Sequence, residues 1–432
     1  MRLAALALAL TALSGCMQAA PRAPSAATKL PGFELDGKPF CFAGANNYYA
    51  IYKPRPMVTD LLDSAQRLGL KVLRVWGMLD RGSLDGSVPN ADGVGHKDGV
   101  YFQYWDPALD RPAYNDGPDG LERLDYLLAA AAERDLKLIV VLVNNWRAFG
   151  GMDQYLMWYG REQHHEFFTA EEPRRAYRAW LEHVLSRQNS VNGRPYRDDP
   201  TVLAWELANE PRCKSGSAFD RDGGWNGSTI TTWAREMSGY VKSLAPSQLV
   251  SVGDEGFLAT GGEHWAYRQN DGVDHAALTA LPDVDFGTFH LYPQDWGTPP
   301  GFGERWIADH LEVARQLGKP TLLEEYGVEA AQGWAVRRDS YRRWNDALLR
   351  AGSAGLSWML AGKDERGQRY PDYDGFAFYA GDPTGILLGN YARSFATGGS
   401  CGAGAASSPE APSPFVRVRR PPERVALGWV PR

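Results

Sequence analysis

Cysteine is scarce in this chain: four in 432 residues, with no pair at metal-ligand spacing. That excludes a disulfide-dense scaffold and a thiolate metal centre. Positive charge is not concentrated either. The formal net charge is −6 and no basic block appears, so nucleic acid is excluded as a partner. The apolar run Leu3–Leu13 behind Arg2 is too short to cross a bilayer as a mature helix. The segment "HHEF" (164–167) lacks the spacing that sets two metal ligands on one helical face, and it reads as a solvated loop.

Aromatics are plentiful: 15 Trp, 20 Tyr and 16 Phe, or 12 % of the chain. Large ring faces suit CH-rich surfaces such as sugar rings, although any single Trp more often packs in a core. The length allows one large α/β barrel or two ordinary domains. Strand-like and helix-like segments alternate throughout. Strand patterns fall at 38–49, 70–78, 136–146, 201–210, 248–253, 283–292, 319–327 and 354–360. Amphipathic helices fall between them, as at 57–69, where Leu61, Leu62, Ala65 and Leu68 share a face and Gly69 stops the turn. Eight strands that read as near-continuous apolar runs, separated by helices, predict a single-domain (β/α)8 barrel.

In this architecture functional side chains sit at the C-terminal ends of the strands. Strand 2 ends in Arg74 and Trp76, and strand 3 in Asn144, Asn145 and Trp146. Strand 4 ends in Asn209 and Glu210, and strand 6 in His290 and Tyr292. Strand 7 ends in Glu324, Glu325 and Tyr326, and strand 8 carries Trp358. Glutamates on strands 4 and 7 face each other across the mouth. Two carboxyls flanking one bond are the requirement of glycoside hydrolysis. Side chains alternate along a strand, so only one of Glu324 and Glu325 can face the mouth. By the same period Asn209 and Glu210 point to opposite sides. Both reach the pocket only if strand 4 ends or bulges there, and Pro211 helps to end the ladder.

"GANNYY", "VLRVWG", "VLVNNW", "GGMDQYLMWYG", "WELANEPRC", "FHLYPQDWG" and "LLEEYG" occur in that order between about Phe33 and Tyr391. In this the chain resembles the endo-β-1,4-mannanases of glycoside hydrolase family 5. The resemblance implies retaining hydrolysis of mannan, glucomannan or galactomannan, with Glu210 as acid/base and Glu325 as nucleophile. It implies that Asn209 binds the sugar 2-hydroxyl, that Arg74 keeps the nucleophile ionised, and that His290 and Tyr292 orient the carboxyls. Trp358 floors the site, Asn145 supports it, and Trp146, Trp76 and Trp296 stack on flanking sugars. Glu210 is expected to have a raised pKa and Glu325 a low one. No cofactor and no metal are implied, and the chain is expected to be monomeric. An exo-acting β-mannosidase or an endoglucanase of the same clan is the alternative, with segments 80–119 and 147–172 able to close one end of the cleft. A non-catalytic glycan-binding protein would lack one of the two glutamates.

Leu13-Ser14-Gly15-Cys16 resembles a bacterial lipobox. It implies a signal peptide over 1–15, a lipid on Cys16 and a flexible tether over 16–30. Met17 after the cysteine favours an outer-membrane address. The catalytic domain then spans 31–395, followed by a low-complexity, loosely ordered tail over 396–432. Three cysteines remain. A Cys41–Cys401 bond at one end of the barrel is the favoured pairing, leaving Cys213 as a free thiol.

Overall fold

The structure is a computed structural model that describes residues 30–92, 99–220, 223–299, 301–397 and 413–419. Eight parallel strands form one sheet: β1 Gly44–Asn47, β2 Val72–Trp76, β3 Lys137–Val141, β4 Val202–Glu206, β5 Leu249–Ser251, β6 Gly287–Leu291, β7 Thr321–Tyr326 and β8 Ala354–Ser357. Neighbours pair in the order β5-β4-β3-β2-β1-β8-β7-β6. The ring closes where Asp285 N donates to Val250 O at 2.8 Å. Helices α1 Arg55–Leu68, α2 Glu122–Ala132, α3 Glu171–Ser186, α4 Thr229–Leu244, α5 His275–Thr279, α6 Phe302–Leu317, α7 Trp334–Ala351 and α8 Pro383–Thr397 follow the strands in turn. This is the expected (β/α)8 barrel.

The helices form for the reasons their spacing suggests. In α1, Leu61, Leu62, Ala65 and Leu68 are buried against the barrel, and Gly69 caps the helix at φ 80°. Burying one such leucine contributes roughly 1.5–3 kcal/mol. The strands are buried on both faces, and β2, β4 and β6 contain no exposed residue. No helix among the described residues is long and apolar enough to cross a membrane.

The expected strand over 38–49 divides. Only Gly44–Asn47 joins the barrel. Lys38–Pro39 instead pairs antiparallel with Gly32–Leu35, and that strand also pairs with Arg417–Arg419 from the C-terminal segment. This small sheet covers the N-terminal end of the barrel. Residues 413–419 are therefore tied down within what reads as a low-complexity tail. Cys41 is disulfide-bonded and Cys213 is a buried free thiol. Cys16 and Cys401 lie outside the described residues, as does the proposed signal segment.

At the opposite end two insertions build a wall. Strands Asp80–Ser83, Gln103–Asp106 and Arg111–Tyr114 form a second small sheet, and helix Gly151–Trp158 packs beside it. Gln103 Nε2 donates to Tyr155 Oη at 2.8 Å, and Trp158 Nε1 donates to Arg81 O at 2.9 Å. The "HHEF" segment is not a solvated loop. His164 and His165 are both buried. His164 Nδ1 lies 2.8 Å from Asp153 Oδ1, its Nε2 lies 2.9 Å from Asn145 Oδ1, and its backbone N–H bonds Phe219 O. The His164 ring enters the interior because partners are waiting there.

Candidate active site

Strand β4 stops at Glu206, yet the chain stays clamped beyond it. Asn209 N donates to Val143 O at 2.8 Å, and Glu210 N donates to Gly253 O at 2.9 Å. Glu210 has φ 52°, in the left-handed region that costs a non-glycine residue roughly 1–2 kcal/mol. This twist turns Glu210 into the cleft beside Asn209 and resolves the conflict with two-residue periodicity. It also explains Gly253, at φ 87°. A Cβ there would meet Ala208 O at 1.9 Å and Glu206 Oε1 at 2.5 Å.

Strand β7 has a corresponding irregularity. Its register against β6 shifts between Phe289 and His290, so that His290 lies opposite Glu325. Glu325 faces the cleft while Glu324 points into the barrel and is fully buried. The cleft holds about 590 Å³, and its lining includes Glu210, Glu325, Asn209, Tyr292 and the four expected tryptophans, Trp76, Trp146, Trp296 and Trp358.

Arg74 lies beneath this floor with no exposure. Each of its five N–H donors has an acceptor. Nε and Nη2 grip Glu206 at 3.1 and 2.5 Å, Nη2 also reaches Asn209 Oδ1 at 2.8 Å, and Nη1 serves Asn46 Oδ1 at 3.2 Å and Glu325 Oε1 at 2.5 Å. Tyr292 Oη donates to the other Glu325 oxygen at 2.8 Å. Glu210 is held by Trp146 Nε1 at 2.5 Å and lies 2.7 Å from His290 Nδ1. Atoms of Glu210, His290 and Glu325 lie within 4.8 Å of one another. A metal ion could use that spacing, but here Glu210 and His290 are hydrogen-bonded to each other, and Glu325 to Arg74 and Tyr292.

The expected order of the two carboxyl pKa values is reversed in this unliganded site. Burial raises Glu210, but the hydrogen bond and charge of His290, the charge of Arg212 and the Trp146 N–H outweigh it and hold Glu210 down to about 2. Burial, with help from the Glu210 charge, raises Glu325 despite His290, Arg74 and Tyr292. Against the cost of burial, Glu325, Glu210 and Glu324 push His290 well above its usual range. The resting proton therefore lies on His290, one hydrogen bond from Glu210.

Of the two asparagines that end strand 3, it is Asn144 that reaches the cleft. Asn144 accepts from Asn209 Nδ2 at 3.0 Å. Asn145 is fully buried behind it, where its Oδ1 accepts from Arg212 N at 2.9 Å and faces His164. It supports the loop after Glu210 rather than the ligand. Strand-end reading missed Glu255 and Arg212, a bidentate pair at 2.6 and 2.7 Å on the cleft wall beside Glu210. The signal was present, since Asp254-Glu255 follows the apolar "QLVSV" as polar tips follow the other strands. Tyr48, Phe149, Trp265, Asp295, Asp374 and Phe376 complete the lining. Tyr48 directly follows β1, and the others come from long loops, where periodicity carries no information.

A (β/α)8 barrel with two glutamates converging at the C-terminal mouth, under a ring of tryptophans, is the architecture of a glycoside hydrolase. Comparison with known proteins narrows the class. The profile described as GH family 5 beta-mannosidase-like matches residues 27–345. The mannan endo-1,4-beta-mannosidase A of Podospora anserina is 36 % identical over 88 % of this chain and 94 % of its own length. The crystal structure of an endo-1,4-beta-mannanase from Rhizomucor miehei superposes with a TM-score of 0.77 at 35 % identity, covering 85 % of this chain and 98 % of that one. An endo-beta-1,4-mannanase from Thermotoga petrophila gives a TM-score of 0.73 at 40 % identity, covering 84 % and 78 %. The chain belongs to glycoside hydrolase family 5.

Proposed function

We propose that this protein is an endo-acting β-1,4-mannanase that cleaves mannan, glucomannan or galactomannan with retention of anomeric configuration. The observation that carries the reading is the approach of the Glu210 and Glu325 carboxylates, which have oxygens within 4.8 Å. Retaining sites hold their carboxyls about 5–5.5 Å apart, whereas inverting sites need a wider gap to admit water. The similarity to mannanases at 35–40 % identity supports the substrate.

Glu325 attacks the anomeric carbon while Glu210 gives its proton to the departing glycosidic oxygen, which leaves as a hydroxyl. Glu210 then takes a proton from water, and that water displaces Glu325 from the anomeric carbon. Arg74 and Tyr292 supply the hydrogen bonds that keep Glu325 anionic and aimed. The resting proton on His290 crosses its 2.7 Å hydrogen bond when the sugar covers Glu210 and strips it of water. Asn209, tied to Arg74 and Asn144, meets the sugar at the cleavage point, and the cleft tryptophans stack on sugar faces.

The test is product size and configuration from linear β-1,4-mannan, with β-1,4-glucan alongside. Early release of mixed manno-oligosaccharides with the β-anomer formed first is expected. Mannose alone would mean an exo enzyme, an α-anomer formed first would mean inversion, and activity only on glucan would overturn the substrate.

We also propose that a lipid on Cys16 anchors the enzyme to the bacterial outer membrane, a reading supported by the Leu-Ser-Gly-Cys motif. In wild type the activity should sediment with membranes, and Cys16→Ala should release it to the soluble fraction.

A further inference from the structure

The barrel interior beneath the cleft contains two carboxyls that the hydrolytic reading does not use. Glu206 and Glu324 are both fully buried and both face Arg74, which grips Glu206 and lies 3.6 Å from Glu324 Oε2. Glu324 also faces the ring of His290. His290 Nε2 is a buried nitrogen with no hydrogen bond among the described residues, and the charged atom before it is Glu324 Oε2 at 3.7 Å. On the other side of the same ring, Nδ1 lies 2.7 Å from Glu210 Oε1. Glu324, His290 and Glu210 thus form a line from the barrel interior to the cleft.

We propose that Glu324 is a positioning residue for the acid/base reaction, acting through His290. Its carboxylate keeps a proton on Nε2, which leaves Nδ1 as the atom that exchanges a proton with Glu210. A carboxylate behind an imidazole fixes the tautomer and raises the basicity of the far nitrogen. The proton moves only between His290 Nδ1 and Glu210 Oε1, and Glu324 holds charge without transferring it.

The arrangement needs Glu324 to be ionised. Two adjacent buried carboxyls share one proton rather than both ionising. Burial, together with the charge of Glu324, pushes Glu206 well above the carboxylate range, while Arg74 and His290 hold Glu324 below it against the cost of its burial. Glu324 Oε2 also lies between two cationic groups, Arg74 Nε at 3.6 Å and His290 Nε2 at 3.7 Å, whereas of these two Glu206 pairs with Arg74 alone, so the charge rests on Glu324 and the proton on Glu206. The other ionisable groups around His290 are Glu325, with Oε2 3.7 Å from Nδ1, and Glu255, whose backbone oxygen accepts the His290 N–H. Arg212 and Tyr292 act on the site through Glu255, Glu210 and Glu325.

This inference rests on Glu210 being the acid/base, so Glu210→Ala is run in parallel with Glu324→Gln. Each variant is assayed on β-mannan and on a β-mannobioside carrying a dinitrophenyl leaving group, which departs without protonation. Glu210→Ala should lose kcat/KM on mannan at least about 100-fold and far less on the aryl glycoside. If it does not, the acid/base assignment fails. Given that result, Glu324→Gln should show the same split in weaker form, about 10-fold or more on mannan. Its alkaline limb in the pH profile of kcat/KM should move to lower pH by about one unit, because a negative charge that holds the shared proton has gone. Equal losses on both substrates with an unmoved limb would assign Glu324 a purely structural role and overturn the proposal, and so would no loss. Histidine 15N resonances of the wild type, followed through the alkaline limb where the ring loses its proton, read the His290 tautomer even if Glu324→Gln does not fold. A neutral form with its proton on Nδ1 overturns the proposal.

Discussion

The same eight strands build two opposite environments, one at each end of the barrel. At the N-terminal end, Phe33, Phe42, Val72, Ile139, Leu203, Phe286, Leu322 and Leu356 form a closed apolar cluster. Phe33 packs against Phe42 and Phe286 with centroids 5.4 Å apart in each case. At the other end, Arg74, Glu206, Glu324 and His290 are just as deeply buried, and Glu325 nearly so. Hydrocarbon in the first place stabilises the fold at little risk. Buried charge in the second costs several kcal/mol per ion before pairing recovers it. The strands supply rigidity at one end so that a costly arrangement can be held at the other.

Substitutions that swap the behaviour of the two ends break or sharpen this contrast. The largest effect is expected from Glu325→Ala, which should lower kcat on β-mannan at least about 10⁴-fold while the near-UV circular dichroism stays native. Arg74→Met comes next and should damage both properties. It strands Glu324 and Glu325 without their counter-charge and Glu206 without its hydrogen-bond donors, at about 3–5 kcal/mol in urea unfolding, and it removes activity as well. Phe286→Ala should lower stability by a similar 3–5 kcal/mol, yet leave kcat within about twofold at a temperature where the variant is folded. A large kcat loss in Phe286→Ala would show that the ends are coupled and that the division is wrong.

The apolar end was legible in the sequence because burial on both faces leaves a plain mark: short apolar runs separated by amphipathic helices. The mouth was legible only in part. Glu210 stood out because an amide, a carboxylate and a proline ended an apolar strand, and the φ of 52° at Glu210 is the irregularity that this pattern required. Alternation said that only one of Glu324 and Glu325 could face the mouth, and the family resemblance, not the strand period, chose Glu325. What both carboxyls meet did not, because the register shift at Phe289/His290 and the depth of Glu206 are properties of the closed barrel rather than of any one strand. The reversed pKa order was out of reach for the same reason. It depends on His290 and Trp146 reaching Glu210 from two other segments and on Arg212 turning back from the loop that follows it. The "HHEF" segment misled because polarity was read as exposure, while its partners, Asp153 and Asn145, lie 11 and 19 residues away from His164.

The smallest predicted effect separates the two ends by pH. Burial, joined by the charge of Glu210, pushes Glu255 up to about 7 against the opposing pull of Arg212 and His290. An ordinary glutamate in the unfolded chain titrates near about 4.3. Between those values the folded protein binds a proton that the unfolded chain has lost. Stability from this group is therefore complete below about 4.3 and is lost as pH rises through about 7, by at most roughly 4 kcal/mol. In Glu255→Gln that loss should disappear, so urea midpoints at pH 4.5, 5.5 and 7 should fall less steeply than in wild type. Phe286→Ala, which removes only hydrocarbon, should lower all three midpoints in parallel. If Glu255→Gln keeps the wild-type slope, the proton is held elsewhere in the mouth, and the Glu206–Glu324 pair beneath Arg74 is the next group to titrate.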